Sequence, residues 1–457
     1  MTVLVLNGSP KGENSITLQT ARYLESHCSK LRFEYLHVGQ RIRAMEKDFS
    51  ACAEALKRAD LILFCYPVYT FLVPAQLHRF IELMKEHKLD LRGKWASQIS
   101  TSKHFYDITA HRFIQENCED LGLRYVRGLS ADMEDLLHEQ GRKEAAAFLR
   151  HVFWAMKEGI AEPCNALTQT SDDWIGLRPV MLPETTKGSR SVTLVTDLSR
   201  DREGQLQAMI DAFVAASDCK VTVIDLAKIR IDGGCLGCFH CAADGTCVYK
   251  DGFDRFLRET IQSGDATVYA FTVRDHSMGS RFKLFDDRQF CNGHRTVTMG
   301  KPVGYLVSGP LDREANLQTL IEARAQVGGN PLAGIATDQR DPDLEIQGLA
   351  KSLSYALSTD FRQPSNFYGV GGMKIFRDLI WQMQGLMRED HRFYRDNGFY
   401  DFPQKQRGKM LAMYLVGGIM KNKKISRKLR NKMTEGMLMP YKKALENAKL
   451  DTKAGRG

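Results

Sequence analysis

The chain has 457 residues, about three times a usual domain length, so two or three domains are expected and a single small scaffold is excluded. Hydrophobic residues at 43% and charged residues at 26% exclude a disordered or fibrous chain. The net charge of +9 is concentrated in residues 404–457, which hold 15 Lys and Arg against 3 Asp and Glu; the body before them is about −3, so no nucleic-acid partner is expected.

The first 160 residues alternate strand and helix signals: strand 3–6, helix 16–26, strand 33–38, helix 50–58 and strand 61–65. Alternation of this kind predicts a parallel sheet covered on both faces. The N-terminus runs straight into its strand without the basic region, long apolar stretch or cleavage site of a signal peptide, and a cytoplasmic location is the expectation. Residues 161–190, with Pro163, Gly176, Pro179, Pro183 and Gly188, read as a linker.

A second pass begins at Ser191, with strand 192–196, helix 205–216, strand 221–226, helix 253–262 and strand 267–271, then strands 303–307 and 333–336 and helices 314–327 and 342–357. Val3 and Val192 correspond at an offset of 189, Phe80 and Phe285 at 205, so the second copy carries about 16 extra residues, between Leu226 and Phe253. The predicted fold class is α/β: two doubly wound parallel-sheet domains, 1–160 and 191–360, with a basic helical extension over 361–457.

Asn7-Gly8-Ser9-Pro10-Lys11-Gly12-Glu13-Asn14-Ser15-Ile16-Thr17 sits where the first strand turns into the first helix. A helix start presents unpaired amides and a positive dipole end, and small hydroxyl residues let a phosphate approach. The hydroxyls of Ser9, Ser15 and Thr17, the amides of 11–17 and the charge of Lys11 suit a monophosphate. The loop is neither a dinucleotide fingerprint nor a P-loop.

After the third strand, Pro67-Val68-Tyr69-Thr70 offers a rigid apolar edge of the kind a flat heteroaromatic ring needs. In an open sheet this loop faces the first across the switch-point crevice. A third loop over 100–106, with Thr101, Ser102, His104 and Tyr106, follows the fourth strand and closes the same crevice.

Gly8-Ser9-Pro10-Lys11 with Asn14-Ser15-Ile16-Thr17, followed by Ala59-Asp60 and Pro67-Val68-Tyr69, resembles the flavodoxin-like NAD(P)H-dependent FMN reductases over residues 1 to about 155. The resemblance implies FMN as cofactor and NAD(P)H as co-substrate, with hydride accepted at the flavin N5 and electrons passed on to a small-molecule or protein acceptor. Ser9, Lys11, Ser15 and Thr17 would hold the phosphate; Pro67, Val68, Tyr69 and Thr70 would flank the ring. The family motif has Asn-Thr where this chain has Ile16-Thr17, which removes one side-chain contact. No catalytic acid or base is assigned, because hydride passes between nicotinamide and flavin without one.

Cys235, Cys238, Cys241 and Cys247, spaced C-x2-C-x2-C-x5-C, fall within thirteen residues and account for four of eleven cysteines, which points to metal ligation in a reducing compartment. Four thiolates in one loop suit a cubane. The spacing also resembles that of iron-sulfur flavoproteins, which implies a [4Fe-4S] cluster. Zinc and no metal remain open; zinc is the weaker, since three ligands two residues apart crowd one tetrahedral ion.

The second copy lacks the flavin loops: Asp197-Leu198-Ser199-Arg200-Asp201 replaces the phosphate loop, and Val273-Arg274-Asp275 is aligned with Pro67-Val68-Tyr69. Alternatives to the reductase with a cluster are a cluster-free two-electron quinone or nitro reductase and a non-enzymatic electron carrier or redox-responsive binding protein. Met410 to Met420 is too short to span a bilayer. With the basic segments 421–432 and 442–449, it reads as a solvated helix or subunit contact, Met410, Leu411, Tyr414 and Leu415 hinting at a homo-oligomer, with peripheral contact to an anionic membrane as the alternative.

Overall fold

The computed structural model describes residues 1–28, 31–163, 174–201 and 203–421. Cys164 and the basic segments 422–432 and 442–449 lie outside the described residues. Met1–Tyr394 forms one compact unit, and a second unit begins at Arg395.

The first domain runs β1 (Thr2–Asn7), α1 (Ile16–Ser26), β2 (Arg32–Leu36), α2 (Val38–Lys47), α3 (Ser50–Arg58), β3 (Leu61–Pro67), α4 (Ala75–Glu86), β4 (Trp95–Ser102), α5 (Asp107–Asp120), β5 (Arg124–Tyr125), β6 (Leu129–Asp132) and α6 (Glu139–Glu158). Its parallel sheet has the order β2-β1-β3-β4-β5, and β6 also pairs with β4 farther along the same edge. Residues 3–7 of β1 and all of β4 are buried, as expected of central parallel strands covered on both faces.

The second domain repeats the plan with β7 (Ser191–Thr196), α7 (Gln205–Ala216), β8 (Lys220–Asp225), α8 (His240–Asp244), α9 (Phe253–Phe256), β9 (Ala266–Thr272), α10 (Ser280–Arg288), β10 (Val303–Ser308), α11 (Ala315–Gly328), β11 (Leu332–Thr337) and α12 (Pro342–Thr359). Its order, β8-β7-β9-β10-β11, is that of the first sheet. Register confirms the duplication: β1 pairs Val3 with Leu61, and β7 pairs Val192 with Ala266. The turn after the third strand repeats as well, closing Tyr69 on Leu72 and Arg274 on Ser277. In both copies it uses two non-glycine residues at positive φ, Thr70 and Phe71 in one, Asp275 and His276 in the other.

Two readings are corrected. The strand expected over 33–38 ends at Leu36, and α2 starts at Val38. Gly39 in its first turn weakens the helix signal, yet it is required there because a Cβ would overlap the backbone of Ser9. The paired turns also move the alignment by one residue: Thr272-Val273-Arg274, rather than Val273-Arg274-Asp275, stands opposite Pro67-Val68-Tyr69.

The two domains share a core. Leu77, Phe80, Ile81 and Met84 of α4 belong to one apolar cluster with Phe282 and Phe285 of α10 and Leu317 and Leu320 of α11. At residues 361 onward the alternation ends, and α13 (Phe367–Gln382) packs against α11, while α14 (Arg388–Asp396) and α15 (Arg407–Met420) follow. No helix among the described residues is long and apolar enough to cross a membrane.

Candidate functional site

The loop between β1 and α1 is built for close approach. Gly8 lies against Leu77 of α4, and Gly12, at φ +53°, lies against Gln40 of α2. Asn7 Nδ2 donates to Gly12 O at 3.0 Å, and Lys11 N donates to Ser9 Oγ at 3.3 Å. Ser15 caps α1, its Oγ accepting from Leu18 N at 3.3 Å. The cap takes the third amide of the helix and leaves those of Ile16 and Thr17, which have no intrahelical partner, at the mouth of the crevice.

The second copy has filled the equivalent place from within. Asp201 accepts from Leu206 N at 2.9 Å and Gln207 N at 3.0 Å, the second and third amides of α7. A carboxylate of the chain itself therefore sits where the first copy offers amides to an anion. Asp197 is turned into its own loop, accepting from Ser199 N.

Across the crevice, Pro67 ends β3, and Val68 N donates to Thr101 O at 3.3 Å. Thr101 Oγ1 lies 2.5 Å from Thr17 Oγ1, tying the third loop to α1. Tyr69 O accepts from the buried ammonium of Lys283, at 2.7 Å, so α10 of the second domain fixes the wall loop of the first.

The cysteine loop closes the same space within one chain. Gly237, at φ +61°, packs so closely that a Cβ would overlap Tyr69 Oη, and Lys11 Nζ stands 5.7 Å from the Phe239 ring. The cavity is lined by Ser9, Lys11, Ser15, Ile16, Thr17, Pro67, Val68, Tyr69, Thr70, Thr101 and Ser102 together with Cys235, Cys238, Cys241 and Cys247. Of the sequence-selected residues Asn14 is the exception; its side chain is exposed outside the cavity. His104 also lies outside, its Nδ1 2.9 Å from Asp107, while Tyr106 Oη donates to Tyr368 O on α13.

Several lining residues escape sequence reasoning. Cys291 is a fifth thiol on the cavity, buried beside the four of the loop. Arg288, ion-paired with Asp251 at 2.8 Å, has its guanidinium 4.0 Å from Cys247 Sγ. Phe376 of α13 stacks on Phe105 with ring centroids 4.2 Å apart and, with Ile375 and Leu379, forms an apolar roof. Gly372 permits that approach, since a Cβ there would press on Phe105.

Burial pushes the thiol of Cys235 up to about 12, against the opposing amide of Gly237, which donates to its sulfur at 3.4 Å. Burial likewise raises Cys241 to about 11 and Cys291 to about 12. Among the described residues no three of these sulfurs lie within 4.8 Å of one another. The four thiols of the loop line one wall of the cavity, a donor set that a cluster or a metal ion would take.

The free amides, the hydroxyls and the aromatic wall fit a phosphorylated planar cofactor in the first copy and not in the second. Residues 1–111 match the family model described as NADPH-dependent FMN reductase. No curated protein matches the chain. Among solved structures, the chain is similar to an FMN-dependent NADH-azoreductase from Bacillus anthracis str. Ames Ancestor in complex with FMN, at 12% identity and a TM-score of 0.27, covering 34% of this chain and 98% of that one. It is similar to FerB, a flavoenzyme NAD(P)H:(acceptor) oxidoreductase from Paracoccus denitrificans, at 17% identity and a TM-score of 0.29, covering 34% and 97%. It is also similar to Smu.1420 from Streptococcus mutans UA159, at 16% identity and a TM-score of 0.27, covering 35% and 100%.

Proposed function

We propose, from the match of residues 1–111 to the family model described as NADPH-dependent FMN reductase, that the chain is an NAD(P)H-dependent FMN oxidoreductase of a reducing, cytoplasmic compartment, and that its cysteine loop relays electrons to an acceptor. The observation that carries the reading is the shared cavity: flavin-type loops of one domain and the cysteine loop of the other line a single space. When bound, FMN supplies exchange of two electrons with a nicotinamide and of one at a time with a cluster.

The chain's own groups bind and shield. The amides of Ile16 and Thr17, the hydroxyls of Ser9, Ser15 and Thr17 and the ammonium of Lys11 hold the phosphate. Pro67, Val68, Tyr69 and Thr70 would flank the ring, with Thr101 and Ser102 lining the same cavity, and Phe105, Phe376 and Leu379 would keep water from it. Cys235, Cys238, Cys241 and Cys247 would hold a [4Fe-4S] cluster. Amide-to-sulfur hydrogen bonding from Gly237 and the guanidinium beside Cys247 both favour a site bearing negative charge.

Anaerobic purification followed by assay of FMN, iron, sulfide and zinc tests the reading. One FMN with about four irons and four sulfides per chain is expected. FMN without iron would instead support a cluster-free reductase of flat organic acceptors, a reading that the aromatic lining at Phe105 and Phe376 also suits. A colourless protein that takes up no FMN on reconstitution overturns both. Oxidation of NADH or NADPH with a panel of acceptors separates an enzyme from a carrier, which would show no turnover.

A further inference from the structure

We propose that α15, with the basic sequence around it, docks this chain on the surface of an anionic lipid bilayer. Between Lys409 and Lys421, eleven successive positions carry no charged side chain, and they are helical from end to end. At 1.5 Å per residue the stretch rises about 16 Å, roughly half of a hydrocarbon core about 30 Å thick. It is too short to span the bilayer, and the basic residues at its two ends hold both ends at the surface, so the helix lies along the interface.

The apolar side chains are exposed on all sides of the helix. Met410, Leu411, Met413, Tyr414, Leu415 and Ile419 are each between 50% and 76% exposed. At 100° per residue Met410, Leu411, Met413 and Ile419 point in four different directions, so the helix has no polar face to leave in water. A packed partner helix covers a stripe; a hydrocarbon medium surrounds the helix, and it asks nothing of a backbone whose hydrogen bonds are already internal.

Charge selects among the occupants. Lys405, Arg407 and Lys409 precede the apolar stretch and Lys421 follows it, within a region of 15 basic and 3 acidic residues. A nucleic acid matches this charge but offers no apolar medium. A second copy offers apolar side chains but brings an equal positive charge against the first. An anionic lipid surface accepts both features at once, each basic residue adding to the attraction and the apolar residues entering the acyl boundary.

Flotation of the purified full chain with vesicles tests this. Partition into phosphatidylcholine vesicles containing about 40% phosphatidylglycerol is expected to exceed partition into pure phosphatidylcholine by about tenfold or more, and to fall in about 0.5 M NaCl. The variant L411D/L415D changes two exposed positions far in sequence from the flavin loops. It should lose flotation while binding FMN as the parent does. Equal flotation of parent and variant, or none by the parent, overturns the proposal. So does a lipid-free dimer in sedimentation velocity that L411D/L415D dissociates, because a second copy would then cover the helix.

Discussion

Glu82 and Asp287 stand 205 positions apart and cap each other's helices: Asp287 accepts from Ala75 N at the start of α4, at 2.8 Å, and Glu82 accepts from Ser280 N at the start of α10, at 2.7 Å. Ala75 and Ser280 are themselves 205 positions apart, so the pair is one interaction made twice by the duplicated unit. The two sites differ in their surroundings. Asp287 is fully buried with Lys283, whereas Glu82 also meets Arg79, which keeps some contact with water. Removing the carboxylate in Asp287→Ala strands a buried ammonium and should cost about 3–5 kcal/mol in urea unfolding. Glu82→Gln should cost less, about 1–3 kcal/mol. An unchanged midpoint for Asp287→Ala would show that the reciprocal caps do not hold the domains together.

The contrast between Asp201 in the second copy and the open amides of the first gives a test of the phosphate site that leaves the fold intact. Ile16 is the first residue of α1, 41% exposed, and lines the cavity. An aspartate at that position suits the helix dipole, so Ile16→Asp should leave thermal stability unchanged or slightly higher. Its charge would repel a phosphate by up to about 4 kcal/mol at 4 Å in a surface-like dielectric. FMN affinity should fall at least about tenfold, with riboflavin, which lacks the phosphate, much less affected. An equal loss for both ligands would place the phosphate elsewhere.

Most of the scaffold is legible from local signals. The boundaries of α1, α3 and α7 follow from periodicity to the residue, and the duplication follows from a constant offset on either side of the insertion. The crevice loops are legible because a parallel sheet places them at strand ends whatever the side chains. What sequence hides depends on how the copies pack. Cys291, Phe376 and Asp287 reach the cavity from segments that approach it only once α4 meets α10 and α13 meets α11. Cys291 reads as one more scattered small apolar residue until then. Asn14 belongs to the motif by position, but the short turn at 12–14 directs it to solvent, a matter of local dihedrals that composition does not report.

His276 gives the domain interface a dependence on pH. Its ring bridges Asp120 of the first domain, at 3.0 Å from Nε2, and Glu314 of the second, at 3.0 Å from Nδ1. Burial alone would lower its pKa, but the two carboxylates outweigh burial and raise it to about 10. A raised folded-state value means that the stabilisation is complete below the ordinary value of 6.5 and is lost as pH climbs through about 10. Burial also raises Glu116, beside this cluster, to about 7, and its contribution to stability likewise declines with rising pH. The urea midpoint should therefore drop between pH 6.5 and pH 10, and His276→Gln should flatten the drop. Parallel profiles for parent and variant would exclude His276 as its source.

Gly237 and Tyr69 decide how closely the cysteine loop rests on the loop after β3, the proposed flavin wall. The backbone at 237 has φ +61°, and a Cβ would overlap the phenol oxygen of Tyr69. Gly237→Ala therefore adds two effects, strain of about 1 kcal/mol in the left-handed region and a clash that pushes the loop away from the wall. Tyr69→Phe in the same chain removes the clashing oxygen and leaves the strain. FMN affinity and the visible circular dichroism of the bound flavin should change in Gly237→Ala and recover in the double variant, while the loss of stability persists in both. Recovery of stability together with the flavin signal would mean that the phenol contact alone determined the energy. An unchanged flavin signal in Gly237→Ala would mean that the loop does not touch the flavin environment, and the relay through the cysteines would lose its structural basis.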